Sequence, residues 1–95
     1  DARKARKRDE AERRRQLQPL KKALAKAEQT LEQLQQEQQD IETQLADGAL
    51  YEEGNKARLG ELLRRKGEVD RGIEDAEMAW LRAMDALETA TADNA

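Results

Sequence analysis

The feature that most constrains this chain is an apolar seam that stops and restarts. Leu17, Leu20, Leu24, Ala27, Leu31, Leu34, Gln38, Ile41 and Leu45 follow one another at alternating steps of three and four. After a gap, Leu59, Leu62, Lys66, Val69, Ile73, Ala76, Trp80, Ala83, Leu87 and Ala90 do the same. Steps of this kind keep one stripe of a helix facing a partner, and the intervening Glu, Gln and Lys are good helix formers. Each stripe therefore predicts a helix packed along its length on another. The first, at 1.5 Å rise per residue, is about 43 Å long.

The gap at Asp47 to Asn55 decides how the two helices pair. Gly48 follows the last seam residue, where a left-handed glycine ends a helix, and Asn55 is placed to cap the next one. Leu50 and Tyr51 between them are apolar enough to tuck against the helix ends. A connection of about ten residues is far too short for parallel helices within one chain, so the expected fold is all-α, a two-helix antiparallel coiled-coil hairpin. The expected organisation is a basic arm or linker at 1–16, a hairpin at 17–92 and a tail at 93–95. Within the hairpin lie a helix at 17–46, a turn at 47–55 and a helix at 56–90.

Pairing Leu45 with Leu59 or Leu62 and counting outward sets Ala27 near Trp80 and Gln38 near Lys66. A small residue opposite the indole makes room for it, and a polar layer fixes alignment at some cost in stability. Trp80, lying on the seam, reads as a core anchor rather than an exposed recognition residue, with a loss of about 3–5 kcal/mol expected for Trp80→Ala. Gly60, Gly67 and Gly72 weaken the second helix by about 1 kcal/mol each relative to alanine. They read either as solvent-facing positions or as places where a partner backbone comes close. Pro19 removes a backbone donor and is expected to start, break or kink the first helix, turning the arm away from the hairpin axis.

Composition removes whole classes of function. The chain has no cysteine and no histidine, which excludes disulfide frameworks, Cys/His zinc sites and imidazole acid/base chemistry. With 41% charged residues and only Tyr51 and Trp80 as aromatics, it lacks the means for a globular core. No apolar run approaches the roughly 20 residues that span a bilayer, and no signal-peptide pattern is present. A cytoplasmic location and no membrane partner are expected. The acid pairs Glu52-Glu53 and Glu74-Asp75 have nothing near them to raise a pKa and read as solvated faces. No glycine-rich phosphate loop occurs. The expectation is a non-enzyme with no cofactor, metal or catalytic residue of its own, monomeric in isolation.

The charge is unevenly spread. Residues 1–15 carry eight Lys/Arg against four Asp/Glu, and residues 16–95 carry ten against seventeen. A basic end on an acidic body points to polyanion contact at that end. The candidate phosphate-contacting residues are Arg3, Lys4, Arg6, Lys7, Arg8, Arg13, Arg14 and Arg15, acting by a salt-sensitive, sequence-independent mechanism. No aromatic lies among them to stack on bases. The competing reading is a solvated single helix held by Asp9–Arg13 and Glu10–Arg14 pairs. Glu10 and Arg13 occupy the positions where the seam would continue, so the arm is expected to protrude.

Several of these residues together resemble the C-terminal extension of bacterial ABC-F proteins, tandem ATPases related to ABC transporters but without membrane spans. The turn Leu45-Ala-Asp-Gly-Ala-Leu-Tyr51 looks like the family's Leu-x-Asp-x-x-Leu-Tyr turn. Glu77-Met-Ala-Trp80 followed by Leu87-Glu88 is similar to its Trp-containing second helix, with Glu77 where an aromatic is often found. The basic stretch before Gln16-Leu-Gln-Pro-Leu20 looks like the entry from the second ATPase domain. The resemblance implies a fragment of a larger protein, with ATP chemistry in domains upstream. Family members act on ribosomes in translation, and the coiled coils of some bind DNA. For this chain it implies an accessory module and spacer contacting nucleic acid or the ribosome. The alternative is a structural coiled coil that docks on its own ATPase domains or self-associates without binding nucleic acid.

Overall fold

The computed structural model describes residues 1–93. Helix α1 spans Ala2–Leu45, and helix α2 spans Lys56–Asp93. Between them lie two short 3-10 helices, Gly48–Tyr51 and Glu53–Asn55. The helices run antiparallel in a rod with extents of 79 × 16 × 15 Å. Residues 94 and 95, most of the expected tail, lie outside the described residues; Asp93 is the last residue of α2.

All nineteen seam positions are buried or half-buried. The tightest packing is near the turn, where Ile41, Val69 and Ile73 form a core with Leu31, Leu34, Leu45 and Leu62 against it. Val69 is 1% exposed and Ile41 is 3% exposed. Toward the arm the burial at the seam becomes partial: Leu17, Leu20, Leu24, Leu87 and Ala90 are all half-buried.

Charge follows the same antiparallel logic. Residues 37–45 hold three acids and no base, and they pack on 63–71, which holds four bases and two acids. Farther out, residues 15–26 hold four bases and no acid opposite 82–93, which holds one base and three acids. Each helix changes sign along its length, so the antiparallel pairing brings unlike charges together at both ends.

Polar contacts fix the register. Gln38 Nε2 donates to Asp70 Oδ1 at 3.1 Å, and Lys66 Nζ donates to Asp70 Oδ2 at 2.7 Å. The polar layer expected from Gln38 and Lys66 is thus bridged by Asp70, which lies beside the seam. Beside it, Arg65 holds Glu37 with both ends of the guanidinium, Nε to Oε1 at 2.6 Å and Nη2 to Oε2 at 2.8 Å. A two-pronged pair of this kind tolerates no slip along the helix. Gly72 is half-buried, and a Cβ there would stand 3.1 Å from Leu34 Cδ1, while at Gly60 and Gly67 a Cβ would meet nothing within 4 Å. Gly72 therefore admits the leucine of the facing helix, and the other two face outward.

The turn differs from expectation in its backbone. No glycine among the described residues has a positive φ. The chain leaves α1 through Ala46 in right-handed geometry and extended Asp47, whose side chain accepts from Ala49 N at 3.1 Å. Because Asp47 itself starts a 3-10 turn, no left-handed residue is needed at Gly48. Leu50 is buried and plugs the end of the hairpin. Tyr51 Oη donates to the Leu45 carbonyl at 2.7 Å, satisfying one of the acceptors left open at the end of α1. The Asn55 amide turns back and donates to Ala49 O at 2.8 Å, which ties the two 3-10 turns together.

Pro19 lies inside α1, and the helix continues through it from Ala2. The expected break is absent, and the 16 × 15 Å cross-section leaves no room for an arm turned away from the axis. The loss of one backbone bond is offset by good helix formers on both sides and by Leu17, Leu20 and Leu24 resting on α2.

Candidate nucleic-acid interface

The eight cations singled out in the sequence lie on the first turns of α1, and every one is exposed. Asp1 caps this end, accepting from Arg3 N at 3.1 Å. Glu12 pairs with Arg15 at 3.2 Å, three residues apart. The expected Asp9–Arg13 and Glu10–Arg14 pairs are not closed among the described residues, so less of the arm's charge is neutralised internally than the sequence suggests. Continuing the Glu28–Trp80 contact residue by residue sets Asp93 opposite Arg15. Arg3 to Arg8 thus lie past the described end of α2, on a single helix surrounded by water.

At 3.6 residues per turn the cations fall into a stripe. Arg3, Lys4, Lys7, Arg8, Arg14 and Arg15 share about 140° of the helix surface on the side away from the seam. Lys21, Lys22 and Lys26, also exposed, continue the same face beyond Pro19. These three were missed by reading the arm as a separate segment ending at residue 16, although their spacing was visible. Arg6 and Arg13 lie off the stripe. From Arg3 to Lys26 the stripe runs about 35 Å, close to one turn of a nucleic-acid duplex.

The polar layer of the hairpin shifts the titration of its own groups. The Lys66 ammonium and then the Gln38 amide hold the Asp70 carboxyl below the usual carboxylate range, and the Arg65 guanidinium does the same for Glu37. Lys66 is raised in turn by Asp70. Among the described residues no group of acidic, His or Cys side chains is arranged to hold a metal ion. Glu52, Glu53, Glu74 and Asp75 are all exposed.

Trp80 is half-buried, with its indole N–H donating to Glu28 Oε1 at 3.3 Å. Its ring lines a shallow groove with Leu31, Glu77 and Leu81. Ala27, the small residue expected opposite it, is buried one position from Glu28.

The stretch that holds the first seam, the Asp-capped turn and the Trp-bearing part of the second seam also matches a known family model. Residues 15–84 match the model described as ABC transporter C-terminal domain. The chain belongs to the ABC transporter C-terminal domain family. As a member of that family it is the C-terminal helical domain and not the nucleotide-hydrolysing one, in agreement with the resemblance to ABC-F proteins. Among curated proteins, the "Probable ATP-binding protein YheS" of Escherichia coli K12 and of E. coli O157:H7 is 42% identical to it over 87 residues. That alignment covers 92% of this chain and 14% of each relative, so this C-terminal domain spans about one seventh of the proteins it matches. No solved structure matches. No helix among the described residues is long and apolar enough to cross a membrane.

Proposed function

We propose that this C-terminal domain is an accessory module that holds nucleic acid by its phosphates, in DNA or in structured RNA such as that of the ribosome, and serves its parent as a stiff spacer. The observation that carries the reading is the exposed cationic stripe of α1, which among the described residues has one internal ion pair in its arm and no helix beside its first turns. Cations set on a preformed helix bind phosphate with less ordering cost than a flexible tail, and the absence of aromatics among them favours backbone contact over base reading. ATP binding belongs to upstream domains of the parent, in line with the name of the relatives, and the setting is cytoplasmic.

The test is a titration of labelled duplex DNA and structured RNA at low and moderate salt. It is run beside a chain in which Arg6, Lys7, Arg8, Arg13, Arg14 and Arg15 are replaced by Gln. Binding that weakens steeply with salt and is lost in the variant supports the proposal. Absence of binding at low salt defeats it and leaves docking on the parent's ATPase domains as the better account.

A further inference from the structure

One outer face of α2 carries an apolar and charged pattern of which the hairpin engages only Asp70, at its centre, and the edge of Leu81. Leu63 is 53% exposed, Met78 is 50% exposed and Leu81 is 55% exposed. Gly60 and Gly67 lie on the same face, with open space where a Cβ would be. With Lys56, Arg71, Glu74 and Asp85, all exposed, they form one line of steps of three and four. The only half-buried position on it is Asp70, next to Arg71 at the centre.

We propose that this face binds a second copy of the chain, the two α2 helices lying antiparallel about a two-fold axis between Asp70 and Arg71. The spacing of the line is the same on either side of that point. Lys56 then faces Asp85 of the second copy, Gly60 faces Leu81, Leu63 faces Met78, Gly67 faces Glu74 and Asp70 faces Arg71. Two-fold symmetry makes each of these contacts twice. Leu81 projects where Gly60 offers no side chain, and Leu63 and Met78 cover each other. The two halves of α2 are opposite in net charge. Residues 56–71 hold six bases and three acids, and residues 72–93 hold one base and six acids. Antiparallel docking sets the basic half of each copy on the acidic half of the other, whereas parallel docking would set like on like. This complementarity is what selects a second copy as the occupant. With three large apolar side chains from each copy the pair is weak and forms in proportion to concentration.

Sedimentation equilibrium over a range of about 10 μM to 1 mM tests the proposal together with charge reversal and cross-linking. The mass is expected to rise from monomer toward dimer. Lys56→Glu places two acids together at both ends and is expected to weaken association by about tenfold or more, and adding Asp85→Lys restores it. Because the chain has no cysteine, chains carrying Leu63→Cys and Met78→Cys can be mixed and oxidised. The mixed disulfide is expected to dominate, and a Glu61→Cys chain to cross-link poorly with either. Circular dichroism checks that each variant keeps its helices. A monomer at every concentration overturns the proposal. So does a dimer indifferent to Lys56→Glu, or one in which the Glu61→Cys chain cross-links as readily as the facing pair.

Discussion

The two ends of α1 are built from similar helix-forming residues and do opposite things. From Leu31 to Leu45 the helix has a partner: Ile41 is sealed against Val69 and Ile73, and Glu37 and Gln38 are bonded across to Arg65 and Asp70. From Ala2 to Arg8 it has none among the described residues, and every residue is exposed. One end supplies the stability and the other presents charge. Helical geometry alone therefore does not tell a structural segment from a binding one. What tells them apart is whether apolar residues recur on the face where a second helix can reach.

The sharpest way to test that division is to damage each end and ask what is lost. Ile41→Ala removes a nearly sealed side chain from the core and is expected to destabilise the hairpin by about 2–4 kcal/mol, measured by urea denaturation. Replacing Arg6, Lys7, Arg8, Arg13, Arg14 and Arg15 by Gln is expected to change stability by less than about 0.5 kcal/mol while abolishing phosphate binding. If the arm variant unfolds as readily as Ile41→Ala, the two ends are not separable.

Trp80→Ala probes the boundary between the regions. The sequence-based figure of about 3–5 kcal/mol assumes full burial. The ring is half-buried, so about 2 kcal/mol is expected, and a loss of the larger size would show the indole to be more enclosed. Pro19→Ala is expected to stabilise α1 by about 1–3 kcal/mol and to slow amide exchange in the turn around Arg15. No gain in thermal stability would mean that this turn is already frayed.

The smallest effect concerns pH. Asp70 and Glu37 have folded-state pKa values below their unfolded ones, so the unfolded chain binds more protons as acid is added. Their contribution is full above the ordinary carboxylate range and is lost below about pH 4. Lys66 is shifted the other way, and its contribution fades only at strongly alkaline pH. Asp70→Asn is therefore expected to flatten the acid limb of the melting-temperature profile and leave neutral to mildly alkaline pH dependence unchanged. An unaltered acid limb would remove Asp70 from the account.

Much of the hairpin was legible because a coiled coil writes its contacts into the spacing of its residues. Leu45 and Leu59 mark the turn, and the Gln38–Lys66 layer gives the register. Asp70 was not legible, since an acid one step off the seam looks like any solvated residue until the facing glutamine is in place. Pro19 misled because its local cost suggested a boundary, whereas packing of Leu17 and Leu20 on either side holds the helix together. That false boundary also hid Lys21, Lys22 and Lys26, which belong to the same face as the arm. At the turn, Asp47 does the work expected of Gly48, a substitution of one capping chemistry for another that spacing does not reveal.

The central claim is that the cations of α1 hold phosphate as one continuous stripe across Pro19. It is tested most directly by the dependence of duplex binding on salt, compared between the chain and a Lys21→Gln, Lys22→Gln, Lys26→Gln variant with the arm intact. A slope of log affinity against log salt that falls by about two to three in the variant would show that these lysines share the phosphate contacts. An unchanged slope and affinity would confine binding to the arm and contradict the continuous stripe.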